Sequence, residues 1–459
     1  MSESIEQDFE SRKQKSKYAA WIAFKHKCEQ RGIAAPSYKT FRLSCKRRSR
    51  FDQTLKRKGH RAAYIHEPAF WSLDLTTPRH GDRPFEISHI DHTELDIELV
   101  CSVTSQVLGR PWLTLLVDAF SRRLLALYLT FDPPSYRSCM MVLRNCVKRH
   151  QRLPQTLVVD GGREFESTYF ETLLARYECT KKTRPPAKAR FGSVCERLFG
   201  TTNTQFVHNL SGNTQITKDV RQVTSSVNPK RLATWSLGDL HQRLTEYLFE
   251  IYDRMEHPAL GQSPREAFAR GLEAGGLRLQ RIVPYDQDFI LCTMPTTAKG
   301  SAQLRPGKGV KINNIYYWSD TFRDPGLEQC RITVRYDPFD AGRAYAFCQG
   351  QWVECLSEHY SILRGCSERE VLLATREIQK RNQQHGTKRL SLNARMLAAF
   401  LESVEAQEAL SLQRARDREG GAIDLDQPQR VCESSEHPVN VLSEREVAVT
   451  IPVEIYGEF

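Results

Sequence analysis

The chain has 459 residues, 40% of them hydrophobic and 9% aromatic, with a net charge of +11. That apolar content is enough for packed cores and excludes wholesale disorder, and the length suits roughly two to four domains. No run approaches the ~18 apolar residues of a membrane helix. The opening MSESIEQDFESRKQK lacks the apolar centre of a secretory signal. The thirteen cysteines include no C-x-x-C pair, so they are expected as reduced thiols rather than zinc ligands.

Charge is spread unevenly. Residues 31–66 carry eleven Lys and Arg against Asp52 alone, and residues 421–459 carry eight acids against Arg430 and Arg445. A basic head suits polyphosphate, because cations that neutralise phosphates release counterions. An acidic tail suits a different partner.

In chain order, residues 1–15 are polar and expected to be disordered. Tyr18, Trp21, Ile22 and Phe24 recur at helical spacing, and Gly32 ends that helix. Pro36-Ser37 opens a second helix, with Phe41 and Leu43 as core contacts. Two helices with a tight joint, the second one basic, predict a helix-turn-helix over residues 16–66. Its candidate DNA contacts, to phosphates or base edges alike, are Lys39, Arg42, Lys46, Arg47 and Arg48. A solvated basic helical pair is the alternative. Pro68, Pro78, Gly81 and Pro84 mark residues 67–84 as a linker.

FEISHIDHTEL, IELVCSV, PWLTLLVDAF and RRLLALYLTF then read as strands, the last two as a hairpin about Ser121. SYRSCMMVLRNCVKRH reads as a helix and TLVVD as a short buried strand. A capping box from Thr168 to Glu171 opens a further helix. This order predicts a mixed α/β sheet within a domain over residues 85–275. Residues 201–236 read as a polar insertion, and Leu240, Leu244, Leu248 and Ile251 as the apolar face of a helix. Over residues 285–365, DFILCTM, GVKINNIYYWS, RITVRY and RAYAFCQGQWVECL alternate with turns such as Asn313-Asn314 and Gly350. That spacing predicts a small β-barrel. A capping box from Ser367 to Glu370 opens a helical region over residues 366–418, and Gly420-Gly421 releases a flexible acidic tail over residues 419–459. The fold class is multidomain α/β.

Three acids carry the chemical argument. Asp91 lies in a strand, Asp160 closes a strand ahead of Gly161-Gly162, and Glu196 sits on a helix, with 35 residues between the last two. Three carboxylates brought together repel one another unless cations intervene. Hard oxygens suit Mg²⁺, and two ions about 3.5–4 Å apart serve an in-line phosphoryl displacement. Gly192, Gly200 and Asn203 share the helix face of Glu196. Lys181, Lys182, Arg184, Lys188 and Arg190 form a stretch suited to phosphate contacts. Spacing alone does not single out this triad, since Glu94, Asp96, Asp118 and Glu164 compete. Asp118 is better placed to stabilise the turn at Ser121, and His92 to serve as an ordinary hydrogen-bonding group.

IDHTELDI, GRPWLTLLVDAFSRRLLALYLTFDPPS, VVDGGREF, RFGSVCERLFGTTNTQF and EHPALGQSPREAF together resemble the DDE transposase/integrase superfamily. More narrowly they resemble its TniA/TnsB branch, related to Mu transposase, over roughly residues 15–365. The resemblance implies a ribonuclease-H-like integrase core followed by the family's small β-barrel. It implies Asp91, Asp160 and Glu196 as catalytic acids and metal ligands, holding two Mg²⁺ ions for which Mn²⁺ substitutes. It implies cleavage of transposon 3′ ends and their joining to target DNA. It further implies a homo-oligomer on paired ends and a cytoplasmic, nucleoid-associated location in a bacterium. An AAA+ ATPase regulator of TniB or TnsC type is implied as a partner, reached through residues 421–459. The family usually carries a longer N-terminal region, so end recognition is expected to be weaker or the start truncated. VVDGG also replaces the family's VVDNG-like pattern. A catalytically idle or truncated DNA-binding regulator is the alternative function.

Overall fold

The computed structural model describes residues 1–67, 80–184, 193–218, 223–275, 282–384 and 394–423. It begins with α1 (Ser2–Ser4), a π turn (Ile5–Phe9), α2 (Lys17–Gln30), α3 (Tyr38–Arg47), α4 (Arg50–Lys58) and α5 (His60–Ala63). Ser16, Ser37 and Ser49 cap α2, α3 and α4, each accepting from the N–H three residues on. Ile5 and Phe9, one turn apart, are buried with Ala20, Phe41 and Cys45 in a small core. The expected disorder of residues 1–15 is therefore corrected: two apolar side chains four residues apart anchor the start of the chain. Leu43, expected inside, is 42% exposed, because it lies two residues from the inward Phe41 and so on another face of α3. Arg48 turns back onto Glu6 and Glu10 at 2.5 and 2.7 Å, which ties α3 to the first helical turn. Most of the expected linker, residues 68–79, lies outside the described residues.

The next elements are β1 (Ile87–Glu94), β2 (Leu99–Val100), β3 (Val107–Gly109), β4 (Trp112–Asp118), β5 (Leu124–Thr130), α6 (Tyr136–His150), β6 (Thr156–Val159), α7 (Thr168–Arg176), β7 (Thr180–Thr183) and α8 (Ser193–Gln205). Five strands form one sheet in the order β5-β4-β1-β6-β7. β1, β4 and β5 are antiparallel, and β6 and β7 add in parallel. Parallel neighbours need crossovers, which α6 and α7 supply. Strand alternation gives the sheet two buried faces. Ile90 and Leu116 pack with α6 and α7, while Leu113, Leu115 and Val117 pack with Val194, Cys195 and Leu198 of α8. IELVCSV yields only β2, which pairs with β3 apart from the main sheet. The cap of α7 is Ser167 rather than Thr168, its Oγ accepting from the Phe170 N–H.

α9 (Pro229–Leu232) and α10 (Leu237–Glu246) follow, and α10 runs on through a π turn (Tyr247–Ile251) and a 3-10 turn (Tyr252–Arg254) to α11 (Pro264–Gly275). Leu240, Leu244 and Leu248 point inward, but Ile251 is 50% exposed and Tyr252 takes its place. A π turn adds one residue to the ring, so the inward face slips by one.

DFILCTM, expected as a strand, is α12 (Gln287–Thr293), capped by the Asp286 carboxylate accepting from the Phe289 N–H. Seven residues are too few for apolar period to separate helix from strand. β8 (Ser301–Gln303), β9 (Val310–Ile312), β10 (Ile315–Trp318), β11 (Arg331–Tyr336), β12 (Arg343–Cys348) and β13 (Gln351–Ser357) form a nearly closed, barrel-like sheet in the order β8-β11-β12-β13-β10-β9. Asn313 and Asn314 turn the β9–β10 hairpin with φ of 49° and 70°, the left-handed pair a tight hairpin needs. α13 (Tyr360–Leu363), α14 (Glu368–Gln384), α15 (Ala394–Leu401) and α16 (Val404–Ile423) complete the described chain. Ser367 caps α14 by accepting from the Glu370 N–H. Gly420-Gly421, expected to end the helical region, lies within α16. Just before it, the Glu419 carboxylate accepts from the N–H and hydroxyl of Ser102 at 2.8 and 2.6 Å, and Arg416 donates to the Leu108 carbonyl. This docking outweighs the helix cost of about 1 kcal/mol per glycine. Residues 424–459, the rest of the expected tail, lie outside the described residues. Among the described residues no helix is long and apolar enough to cross a membrane, and every cysteine is a free thiol.

Asp118 closes β4 and has no solvent exposure. Its Oδ1 accepts from the Phe85 N–H, and its Oδ2 from the N–H and hydroxyl of Ser121. It therefore holds the hairpin turn, as expected. Burial pushes its carboxyl up to about 6. The folded chain thus holds this proton more tightly than the unfolded chain. The stability from that uptake is full below pH ~4 and is lost as pH rises through ~6. Asp118→Ala should cost about 2–3 kcal/mol in urea unfolding, by stranding two buried N–H groups. The loss should be larger near pH 4.5 than near pH 7.5; equal losses would contradict the assigned shift.

Candidate active site

The parallel register sets His89 opposite Val158. Two residues further along each chain, Asp91 and Asp160 emerge side by side. On the other edge of β6, Val159 pairs with Thr183, and the Arg184 N–H donates to the Val159 carbonyl at 2.8 Å. Arg184 therefore leaves β7 level with Asp160. Its guanidinium lies 3.1 Å from Asp91 Oδ2 and 3.9 Å from Asp160 Oδ2. One cation thus stands between two carboxylates.

Backbone donors fix both acids. Asp91 Oδ1 accepts from the His92 N–H at 2.8 Å, and Asp160 Oδ1 from the Gly162 N–H at 3.0 Å. Burial pushes the Asp91 carboxyl up, Arg184 and the His92 N–H pull it down, and Asp160 pushes it up further. The Asp91 side chain is 15% exposed and that of Asp160 43%, so water reaches the pair from the Asp160 side.

Glu196 is carried by α8. Val194, Leu198 and Phe199 seat that helix on the core, and the Cys195 thiol donates to the His89 carbonyl of β1. Glu196 and Gly200 are left exposed, on the face the spacing predicts; Gly192 lies outside the described residues. Among the described residues no three of His, Cys, Asp and Glu gather closely enough to hold an ion. Asp91 and Asp160 come together on Arg184. The pair still fits a hard divalent cation by donor type: two carboxylates converge on one positive charge, which the Arg184 guanidinium supplies.

The other candidates divide. His92 bonds through Nδ1 to Thr114 Oγ1 and stacks on Phe165, while its Nε2 is buried without a partner among the described residues. Lys181 donates to the Phe165 carbonyl and the Glu171 carboxylate, and Lys182 is exposed. Lys188 and Arg190 lie outside the described residues. Lys39, Arg42, Lys46 and Arg47 are exposed on α3, whereas Arg48 is bound to Glu6 and Glu10. Sequence reading placed Arg184 among phosphate contacts and missed its seat between the acids. Only the β6–β7 register reveals it, and register is set by residues far apart in the chain.

Residues 89–212 match the TnsB C-terminal domain family and residues 292–354 the Mu transposase C-terminal family. The transposase for transposon Tn552 of Staphylococcus aureus is 25% identical over 198 residues, covering 42% of this chain and 38% of that protein. The Tn7 transposition protein TnsB of Escherichia coli is 27% identical over 190 residues, covering 37% of this chain and 27% of that protein. The matched region thus spans well under half the length of either relative. Among solved structures, the HTLV-2 integrase catalytic core domain in complex with magnesium aligns at 14% identity, over 40% of this chain and 97% of that one, with a TM-score of 0.27. Through these two segments the chain is similar to TnsB/Mu-like transposases.

Proposed function

We propose that the chain is a DDE-type DNA transposase that cleaves transposon 3′ ends and joins them to target DNA, with Asp91, Asp160 and Glu196 as its acids. The observation that carries this reading is the pair of carboxylates leaving neighbouring parallel strands, inside the matched segment, with a single positive charge between them. Two carboxylates so placed repel unless a cation is present, so this part of the sheet is built around one. Bound divalent ions would supply Lewis acidity and an activated attacking oxygen. The chain's own part is orientation: the His92 and Gly162 N–H groups hold one oxygen of each acid and leave Oδ2 of each turned to the cation. Glu196 is the third ligand in this reading, and Arg184 yields its place and turns to DNA phosphate.

Lys39, Arg42, Lys46 and Arg47 make one exposed basic face at i, i+3, i+7 and i+8 of α3, which we assign to transposon-end DNA. Lys182, Lys188 and Arg190 remain proposed phosphate contacts. A homo-oligomer on paired ends, and an AAA+ ATPase reached through residues 421–459, belong to the same reading. A catalytically idle DNA-binding regulator is the second reading. It is favoured by Arg184 filling the cation position between the two aspartates.

With Mg²⁺ and transposon-end DNA, the protein should nick 3′ ends and join them to target. Asp91→Asn, Asp160→Asn and Glu196→Gln should each cut joining by about a hundredfold or more, with end binding kept. Undiminished joining by Asp160→Asn would remove that residue from the site. End binding by the wild type with no joined product in Mg²⁺ or Mn²⁺ would select the second reading.

Arg184→Gln removes the competing cation. It should tighten Mn²⁺ binding, read by electron paramagnetic resonance, and lower the ion-free melting temperature, with saturating Mg²⁺ narrowing the gap. Mn²⁺ affinity equal to wild type would show that Arg184 does not occupy the ion's place.

On the basic head, Arg47→Ala should reduce the salt slope of DNA binding by about 1 at unchanged melting temperature. Arg48→Ala should instead lower the melting temperature, because it strips the buried Glu10 carboxylate of its guanidinium partner. The reverse pattern would exchange their assignments.

A further inference from the structure

Beside Glu196 lies a second polar feature that the acids do not account for. A pocket of about 350 Å³ is lined by Arg122, Arg197, Glu196 and His257, with Val194 and Ala259 between them. Three separate elements supply its cations and donors. Arg122 comes from the β4–β5 turn, Arg197 from α8, and His257 from the turn ahead of α11. Sequence reading gave none of the three a role.

Arg122 is held there at a conformational cost. Its φ is 62°, a left-handed backbone that glycine and asparagine adopt far more readily than arginine. Its N–H donates to the Asp118 carbonyl and its own carbonyl accepts from the Tyr252 hydroxyl, so both neighbours enforce the strained turn. Strain kept by such surroundings points to a requirement for the side chain. The guanidinium is largely buried, and that burial holds it below its ordinary range, with Arg197 adding to the effect. Its side chain contacts His80 Nδ1 at 3.2 Å. Neither Arg122 nor Arg197 forms an ion pair among the described residues.

His257 completes the donor set. Its Nδ1 accepts from the Ala259 N–H at 3.2 Å, which places the ring proton on Nε2. Burial, followed by the two arginines, brings its pKa down to about 4, so near neutral pH the ring is an uncharged donor. The pocket therefore offers two guanidinium forks and one imidazole N–H against the single Glu196 carboxylate. Guanidinium forks match the paired oxygens of a phosphate.

We propose that Arg122, Arg197 and His257 bind one backbone phosphate of the nucleic acid strand and so position that strand against Glu196. This rests on the reading of the chain as a DNA-processing enzyme and adds a subsite to it. Two cations outnumber Glu196, so an anion entering the pocket is attracted on balance. The neutral histidine contributes direction without charge.

The test uses the full chain and a fluorescently labelled DNA duplex, with anisotropy measured across a salt series. Arg122→Gln and Arg197→Gln should each weaken binding by about tenfold at low salt, and the two together should reduce the log K against log salt slope by about 1, since they share one neutralised phosphate. His257→Ala should weaken binding and leave the slope unchanged, because the ring it removes is uncharged. Arg122→Lys should recover most of the affinity that Arg122→Gln loses, which separates loss of charge from damage to the turn. Arg197 is exposed on α8, so its variant reports without a folding change. Unchanged affinity in both glutamine variants and an unchanged slope in their combination, while the wild type binds DNA, would overturn the pocket and leave the transposase reading standing. A wild type that binds no DNA would overturn both. A further arm adds inorganic phosphate alone. If phosphate raises the melting temperature of the wild type but not of Arg197→Gln, and the DNA affinities are equal, the pocket takes a free anion and the backbone assignment fails.

Discussion

The parallel pairing of β1 with β6 is the constraint on which the candidate site depends. It fixes Asp91 level with Asp160 and commits the sheet to two carboxylates at close quarters. Such a pair is unfavourable in a partly buried setting unless a positive charge joins it. The pairing of β6 with β7 meets that need by delivering Arg184 to the same level. Two registers, each set by backbone hydrogen bonds, thus decide the electrostatics of three side chains that lie far apart in sequence.

The rest of the domain keeps those registers in place. Both faces of the sheet are buried, one under α6 and α7 and the other under α8 and α10. A slip of one residue would turn Asp91 into the α6–α7 core and Ile90 out of it, so the apolar pattern of β1 guards the position of its acid. At the far end of β4, Asp118 holds the turn from which Arg122 projects. The candidate acids and the arginine pocket therefore share a scaffold. α8 carries Glu196 and Arg197 as neighbours, and β4 pairs with β1 and ends in the turn that bears Arg122.

Departures from local expectation have physical causes of one kind. Residues 1–9 are ordered because Ile5 and Phe9 find Phe41 and Cys45. Ile251 faces outward because a π turn shifts the helical face by one residue. DFILCTM is a helix because Asp286 caps it and a seven-residue apolar run suits either periodicity. α16 continues through two glycines because Glu419 and Arg416 are bound to the segment around β2 and β3. In each case a contact made at long range, or a cap too local to show in apolar spacing, outweighed intrinsic preference.

The chain's own order of residues determined a good deal by itself. The order of β1, β4, β5, α6, β6 and α7, the hairpin turns at Ser121 and Asn313-Asn314, the Ser367 cap and the barrel-like run of strands all follow from short-range patterns, because period, turn chemistry and capping act within a few residues. Asp91, Asp160 and Glu196 could be picked out as candidates, yet not separated from Asp118 or Glu94 by spacing alone. Tertiary structure decided what these groups meet: Arg184 between two acids, Arg48 on Glu10 instead of solvent, and Arg122, Arg197 and His257 around one pocket. Those outcomes depend on strand register and helix docking, which are fixed by burial and hydrogen bonding between distant parts of the chain, and no local window of sequence contains them.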